Sequence, residues 1–290
     1  MWKEYYHAAG IYDFDYTLQR LNMDPLINVN MKERWVDVPV RLNHEEQCVV
    51  RVKGEGTTEK PVFSVMSDYD EDQDIIFEHI RNLFQWDRDL QDVLDFFEES
   101  DLARLFYIDP GTPIVRDFHL YDSLMKVIIH QQLNMKFAYT LTTRFVQKFG
   151  EQSDGAWFYP NPETVAKLDY QDLRGLQFSQ RKAEYIIDTS RLIANGELDL
   201  QSLSKKSNDQ VMKELGKVRG VGPWTVQNWL LFALGREDLF PAADIGIQNA
   251  LKKVWTREEK PKKDEIEKAA QKWSPYRSYA ALTLWRSIEG

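Results

Sequence analysis

The stretch that most constrains this chain runs from Lys217 to Gln248. It holds two glycines one residue apart, Gly220 and Gly222, between segments that both read as helices. Asn208 to Leu215 is made of good helix formers, with Ser207 or Asn208 placed to cap it. Pro223 suits the first turn of a second helix, where the amide it lacks would have had no partner. Val226, Trp229, Leu230 and Ala233 then recur at helical spacing. The expectation is a helix, a tight hairpin and a helix. Glycine allows positive φ and close backbone approach at the turn. The amides at the start of the second helix form a site suited to a phosphate. An ordinary αα-corner would use the same residues, so the hairpin alone leaves function open.

Further along, Gly235 breaks the apolar run and Phe240-Pro241-Ala242-Ala243 leads to Asp244, followed by Ile245-Gly246-Ile247. A lone acid between apolar residues is a helix N-cap, a carboxylate set in a cleft, or both.

Before this stretch the pattern changes. Trp35 to Val40 alternates, Cys48 to Lys53 does so in part, Gly54-Glu55-Gly56 signals a turn, and Pro61 to Val65 reads as another short strand. Residues 1 to about 66 therefore predict a small antiparallel sheet with room for a helix. The acidic run Asp68 to Asp74 lacks the glycine and terminal Glu of a calcium loop and reads as a solvated linker. Residues 75–106 carry a helical pattern, ended by Asp109-Pro110-Gly111. From Tyr121 the chain reads as helical to its end. One helix closes in the polar tip His130-Gln131-Gln132-Leu133-Asn134, and Asn134 can cap the next, which stops at Gly150.

The 290 residues are 43% hydrophobic with nine Trp, enough for a large core and two domains. One Cys excludes an intramolecular disulfide and a four-cysteine iron–sulfur cluster. The net charge of −9 argues against nucleic acid until its distribution is considered. Residues 1–110 carry 11 Lys and Arg against 24 Asp and Glu, whereas residues 111–290 carry 26 against 22. The half with the hairpin is mildly basic, which permits DNA binding without demonstrating it. Met1-Trp2-Lys3-Glu4 does not read as a signal peptide, and no apolar run would span a membrane. A cytoplasmic protein is the expectation.

Val218 to Thr225 and Pro241 to Asp244 resemble, in order and spacing, the signature of the helix-hairpin-helix DNA glycosylases, the HhH-GPD superfamily. That signature is a Leu/Val-x-Gly-Val/Ile-Gly-x-x-Thr hairpin, then a catalytic Asp after a Pro. Gly175 to Ala183 resembles the family's Gly-Phe/Leu-x-x-x-Lys-Ala segment, with Lys182 itself read as a surface charge. The run Pro275 to Ala280 with Trp285 is similar to the C-terminal stretch of the bacterial DNA-3-methyladenine glycosylase II branch. Together these cover roughly residues 120–290.

The resemblance implies an α+β chain: an N-terminal small antiparallel β domain over residues 1–110, with a helical linker, then an all-α helix-hairpin-helix glycosylase domain over 111–290. It implies a monomeric bacterial base-excision enzyme that flips a damaged base out of double-stranded DNA and hydrolyses its glycosidic bond. Alkylated purines of the 3-methyladenine and 7-methylguanine type are the implied substrates. Asp244 is the implied catalytic carboxylate, with Gly220, Gly222 and Thr225 on a DNA phosphate. No cofactor is implied beyond a structural Na+ or K+ on the carbonyls of Gly216, Val218 and Val221. Alignment puts Gln132 in the gap left by the flipped nucleotide. Leu133 is its rival, and a pair of solvated glutamines is the plain alternative. Trp224 and Trp285 are implied to line the base pocket, with buried core positions, where most Trp lie, as the plain alternative. Bifunctional relatives have a Lys where Trp224 stands, and an indole cannot form their Schiff base. Two pocket tyrosines of the enterobacterial type correspond to Asn228 and Ile245. A non-catalytic helix-hairpin-helix DNA-binding protein, or a glycosylase for oxidised or deaminated bases, are the competing readings.

Overall fold

A computed structural model describes residues 1–42 and 46–289. The N-terminal part is a five-stranded antiparallel sheet of β1 (Trp2–His7), β2 (Val29–Asn30), β3 (Trp35–Arg41), β4 (Gln47–Gly54) and β5 (Val62–Ser67), with α1 (Phe14–Leu21) between the first two strands. The spatial order is β1-β5-β4-β3-β2. Register follows the hydrophobic alternation: Val36 faces Val52 and Val38 faces Val50, and all four are fully buried. A slip of one residue would turn those valines outward, so the pattern fixes the pairing.

The buried face of the sheet meets Phe14 and Leu18 of α1 and Ile76, Ile80 and Phe84 of α2 (Gln73–Phe84). Trp86 stacks on Phe63 with ring centroids 4.4 Å apart. Each such side chain contributes about 1.5–3 kcal/mol by leaving water. The predicted helical stretch 75–106 is three helices, α2, α3 (Gln91–Phe97) and α4 (Ala103–Ile108). Gln85 closes the first of them at a φ of 54°.

The C-terminal part comprises α5 (Leu120–His130) and α6 (Met135–Phe149), then a small hairpin of β6 (Glu151–Ser153) and β7 (Ala156–Phe158), then α7 (Pro162–Ala166), α8 (Tyr170–Arg174), α9 (Gln180–Ala194), α10 (Leu200–Ser204), α11 (Asn208–Leu215), α12 (Pro223–Phe232), α13 (Ile245–Val254), α14 (Lys263–Ala270) and α15 (Arg277–Arg286). The β6–β7 hairpin corrects the expectation of helix throughout. Asp154 and Gly155, with φ of 47° and 82°, make its turn, a pairing that suits tight hairpins. α5 packs on α6, α9 and α12 through Leu124, Met125, Ile128 and Ile129, all buried.

Sheet and helices share one continuous buried cluster. Polar ties cross it as well. Arg41 of β3 reaches Asp122 of α5 at 3.4 Å and the Tyr159 carbonyl. At the end of α15, Arg286 donates to Asp13 at 2.7 Å and to Thr112 at 2.7 Å, pairs with Asp109 at 3.1 Å, and lies over the Tyr16 ring. The last turn of the chain is thereby locked onto its first helix.

Candidate active site

The hairpin forms where the sequence predicts it. Ser207 caps α11 in a reciprocal box with Gln210. Gly220 turns the chain at a φ of 86°, and a Cβ there would lie 2.2 Å from the Tyr185 ring, so backbone conformation and space both require glycine. Gly222 is the N-cap of α12. The first amide of that helix with an internal acceptor is Val226, bonded to Gly222 O at 3.1 Å. The amides of Gly222, Trp224 and Thr225 lie ahead of it, at the positive end of the helix dipole. The Thr225 hydroxyl is buried and accepts from Gln131, so this residue has only its backbone to offer a ligand. Val218 O accepts the Val221 amide at 3.0 Å, which leaves a second lone pair on that oxygen. Gly216, Val218 and Val221 all line the cleft beside the hairpin.

Asp244 is both of the things its sequence context allows. As N-cap of α13 it accepts the Ile247 amide on Oδ1 at 3.1 Å. The Trp285 indole N–H donates to the same oxygen at 2.9 Å, and the Trp224 indole N–H to Oδ2 at 3.2 Å. Three N–H donors converge on the carboxylate at the start of α13 and fix its orientation. A carboxylate has about four acceptor sites, so one on Oδ2 stays unused, and Asp244 lines the cleft. Both indoles are half-buried and line that cleft, which excludes a pure core role for either.

The cleft is about 1650 Å³ and runs between the sheet side and the helices. Phe232 stacks beside Trp285 at 5.9 Å, and the Arg20 guanidinium sits 5.7 Å above Phe232. Glu289 accepts from Tyr16 at 2.8 Å and pairs with Arg20 at 3.4 Å. Deeper in, Lys126 meets Asp117 at 3.0 Å and Asp24 at 3.8 Å. Burial disfavours the Lys126 ammonium, but these two acids outweigh it and hold the group charged. Burial pushes the Asp122 carboxyl up to about 6 against the pull of Arg41. It pushes His130 down to about 3, assisted by Lys126. Asn228 is buried and bonds back to Trp224 O at 2.8 Å, whereas Ile245 is 65% exposed at the cleft mouth.

The tip between α5 and α6 faces the same cleft. Gln132 is exposed at a φ of 56°, while Leu133 is half-buried against the core. Asn134 caps α6 by accepting the Phe137 amide, as its position predicts. Lys182 corrects its reading as a surface charge. It is half-buried, and its ammonium donates to the carbonyls of Ile128, Ile129 and Gln131 at the end of α5. Sequence reasoning also missed Gln131 and Gly246. A Cβ on Gly246 would stand 2.9 Å from Trp285 Cδ1 and 3.0 Å from Asp244 Oδ1. The place of Gly246 two residues after the acid was a usable signal, but the approach of Trp285 from another helix was not. Among the described residues no group of His, Cys, Asp and Glu is placed to hold a metal ion, and no helix is long and apolar enough to cross a membrane.

A model of the HhH-GPD superfamily of base excision DNA repair proteins matches residues 125–275. YfjP of Bacillus subtilis, provisionally named a DNA-3-methyladenine glycosylase, is 52% identical over 289 residues, 100% of either chain. Another Bacillus subtilis protein, named DNA-3-methyladenine glycosylase, is 34% identical over 73% of this chain and 72% of its own. Among solved structures, the 3-methyladenine DNA-glycosylase from Archaeoglobus fulgidus superposes with a TM-score of 0.84 over 99% of this chain and 98% of its own, at 18% identity. That last likeness is one of fold.

Proposed function

The chain belongs to the HhH-GPD superfamily of base excision DNA repair proteins, and from there we propose that it is a monofunctional DNA glycosylase that flips alkylated purines from duplex DNA and releases them with water. The arrangement that carries this reading is Asp244, held at a helix N-terminus by two indole N–H groups, in the wall of the cleft and with one acceptor site unused.

The chemistry follows from that arrangement. Breaking the bond between C1′ and the base nitrogen leaves both electrons on the base and positive charge on the sugar. A carboxylate beside C1′ stabilises that charge, and its fixed donors mean that little reorganises as the charge develops. Water attacks C1′, its oxygen forms the new bond, and its proton passes to Asp244 or solvent. A purine alkylated at N3 or N7 is already cationic and departs neutral, so it needs no general acid. Trp224 and Trp285 offer the cation electron-rich faces.

The base is unreachable inside the duplex and has to be extruded. The amides of Gly220, Gly222 and Thr225 would grip a backbone phosphate and fix the register, and the exposed Gln132 would fill the vacated stack ahead of the packed Leu133. The hairpin carbonyls of Gly216, Val218 and Val221 would hold Na+ or K+, which supplies charge near the phosphate. The working form is a cytoplasmic monomer of two parts, residues 1–110 and 111–290, acting on duplex DNA with a damaged base. No redox cofactor or iron–sulfur cluster has a part in this scheme.

The experiment is chromatography of bases released from methylated genomic DNA by the wild type and by Asp244→Asn. Free 3-methyladenine and 7-methylguanine are expected from the wild type. The variant should lose roughly 100-fold or more, the scale of removing one key electrostatic stabiliser, and still bind abasic-site DNA. Near-normal release by Asp244→Asn would remove Asp244 from the mechanism. Release of oxidised or deaminated bases alone would move the substrate class.

A further inference from the structure

Two sets of contacts tie the tip at Gln131–Leu133 to its surroundings. From one side comes Lys182, in the first turn of α9. Its ammonium donates to Ile128 O at 3.0 Å, Ile129 O at 2.7 Å and Gln131 O at 2.8 Å. These are carbonyls at a helix C-terminus, which lack intrahelical partners and carry the negative end of the dipole. From the other side the Gln131 side chain reaches the hairpin, where Nε2 donates to Gly220 O at 2.9 Å and to Thr225 Oγ1 at 2.8 Å. Gln131 is therefore clamped by its carbonyl to α9 and by its amide to α12. The next residue, Gln132, is exposed at a φ of 56°, a conformation disfavoured for any residue with a Cβ and kept where the surroundings impose it.

We propose that Lys182 and Gln131 are positioning residues that brace the Gln132 tip against the phosphate-binding hairpin, so that gripping the backbone and entering the base stack are one rigid-body event. The inference rests on the glycosylase reading, in which Gln132 occupies the gap. A side chain pushed into a base stack is pushed back by it. An unbraced loop from Gln131 to Asn134 would yield, and the base would return. Here the load passes through Gln131 to α12 and through Lys182 to α9. Burial of the Lys182 ammonium against carbonyls, with no carboxylate among its hydrogen-bond partners, lowers its pKa to about 8. That placement is unfavourable for a charge whose only task is solubility.

The brace matters most when the base is hard to extrude. A mismatched nucleotide flips more easily than a paired one. Lys182→Met should therefore slow single-turnover release from a fully paired duplex by about tenfold, the effect of some 1.4 kcal/mol on a rate. Release of the same lesion from a mismatched duplex should fall much less. Gln131→Leu should show the same split, and Lys182→Arg, which keeps a cation at the carbonyls, should recover part of the paired rate. A second readout needs no turnover: 2-aminopurine placed beside an abasic site brightens when a tip enters the stack, and both deletions should weaken that rise. Equal losses on paired and mismatched DNA would reduce Lys182 to a fold-stabilising contact and overturn the proposal. An undiminished paired rate, or an unchanged 2-aminopurine signal, would overturn it too. If the wild type releases no base from any DNA while 2-aminopurine still responds, the glycosylase reading fails and the brace is still tested.

Discussion

The indole N–H of Trp285 ends on Oδ1 of Asp244 at 2.9 Å, in space that a side chain at 246 would occupy. Trp285 arrives from α15 and Asp244 stands at the start of α13, two helices that pack on each other. Gly246 sits in the first turn of α13, below the indole. The carboxylate is thus oriented by a residue 41 positions away, through a gap left by one glycine.

Gly246→Ala tests this relationship. The new methyl would meet Trp285 Cδ1 at 2.9 Å and Asp244 Oδ1 at 3.0 Å, so the indole has to move. Alanine is the better helix former by roughly 1 kcal/mol, which offsets part of the strain in the folded state. Thermal stability should change little while the turnover of bound substrate falls about tenfold, as expected for roughly 1.4 kcal/mol of lost transition-state stabilisation. Single-turnover rates beside a melting curve check this, and an unaltered rate would show that Trp285 tolerates displacement.

Trp224 leads to a second expectation. No amine stands at this hairpin position, so neither strand cleavage nor a borohydride-trapped protein–DNA adduct should form. Gel analysis of reduced reaction mixtures decides it. A trapped species would mean that a lysine elsewhere attacks C1′, and the hydrolytic route would have to be abandoned.

Preference among bases should follow charge. An aromatic face attracts a cation by about 0.5–2 kcal/mol, the larger value when both are desolvated. That is modest, so selectivity should be broad and governed by the weakness of the damaged bond. Release of 3-methyladenine and 7-methylguanine should outpace that of uncharged hypoxanthine, and Trp285→Ala should slow the charged substrates. Hypoxanthine released as fast as 3-methyladenine would point to hydrogen bonding in the pocket instead, where Asp117 and Lys126 supply an acceptor and a donor.

Acid should destabilise the protein in a defined window. His119 and His130 both titrate near 3 in the folded chain, each chiefly through burial, against about 6.5 when unfolded. Below that unfolded value the unfolded chain takes up protons that the folded chain refuses, so stability is full above about 6.5 and drains away as pH falls toward 3. Each imidazole contributes up to about 1.4 kcal/mol per pH unit. Asp122 opposes them: its raised value, about 6, makes the folded chain the better proton acceptor between about 6 and 4. His79, lowered by burial, adds to the loss and Asp24, raised by burial, subtracts from it, so three imidazoles against two carboxyls leave a net loss. Urea midpoints at pH 6.5 and 4.5 should show it, and His130→Gln should flatten the difference by about 2 kcal/mol. An equal slope in that variant would mean that His130 is protonated in the folded state.

The sequence made local features legible and long-range ones illegible. Ser207 and Asn134 cap the helices that their positions announce, because a cap is decided within a few residues. The hairpin glycines and Asp244 were readable for the same reason. The β6–β7 hairpin was missed although Asp154-Gly155 marks it, because its strands are three residues long and alternation cannot register in so short a run. Lys182 was misread because its partners lie 51 to 54 residues upstream and are backbone carbonyls, which no side-chain pattern reveals. The same distance in sequence hid the approach of Trp285 to Gly246.

The lock between α1 and α15 bears on how the protein is made. Asp13 and Tyr16 find Arg286 and Glu289 across 273 residues. A ribosome delivers those partners far apart in time, and domains fold in the order they emerge. The sheet and α1 can form early, but the wall that α1 gives the cleft has nothing to close against until α15 has left the exit tunnel. Contacts of such span make the final docking slow relative to local helix formation. A chain that has not yet made α15 thus holds the hairpin between α11 and α12 but not the finished cleft, a site with its floor laid and one wall missing.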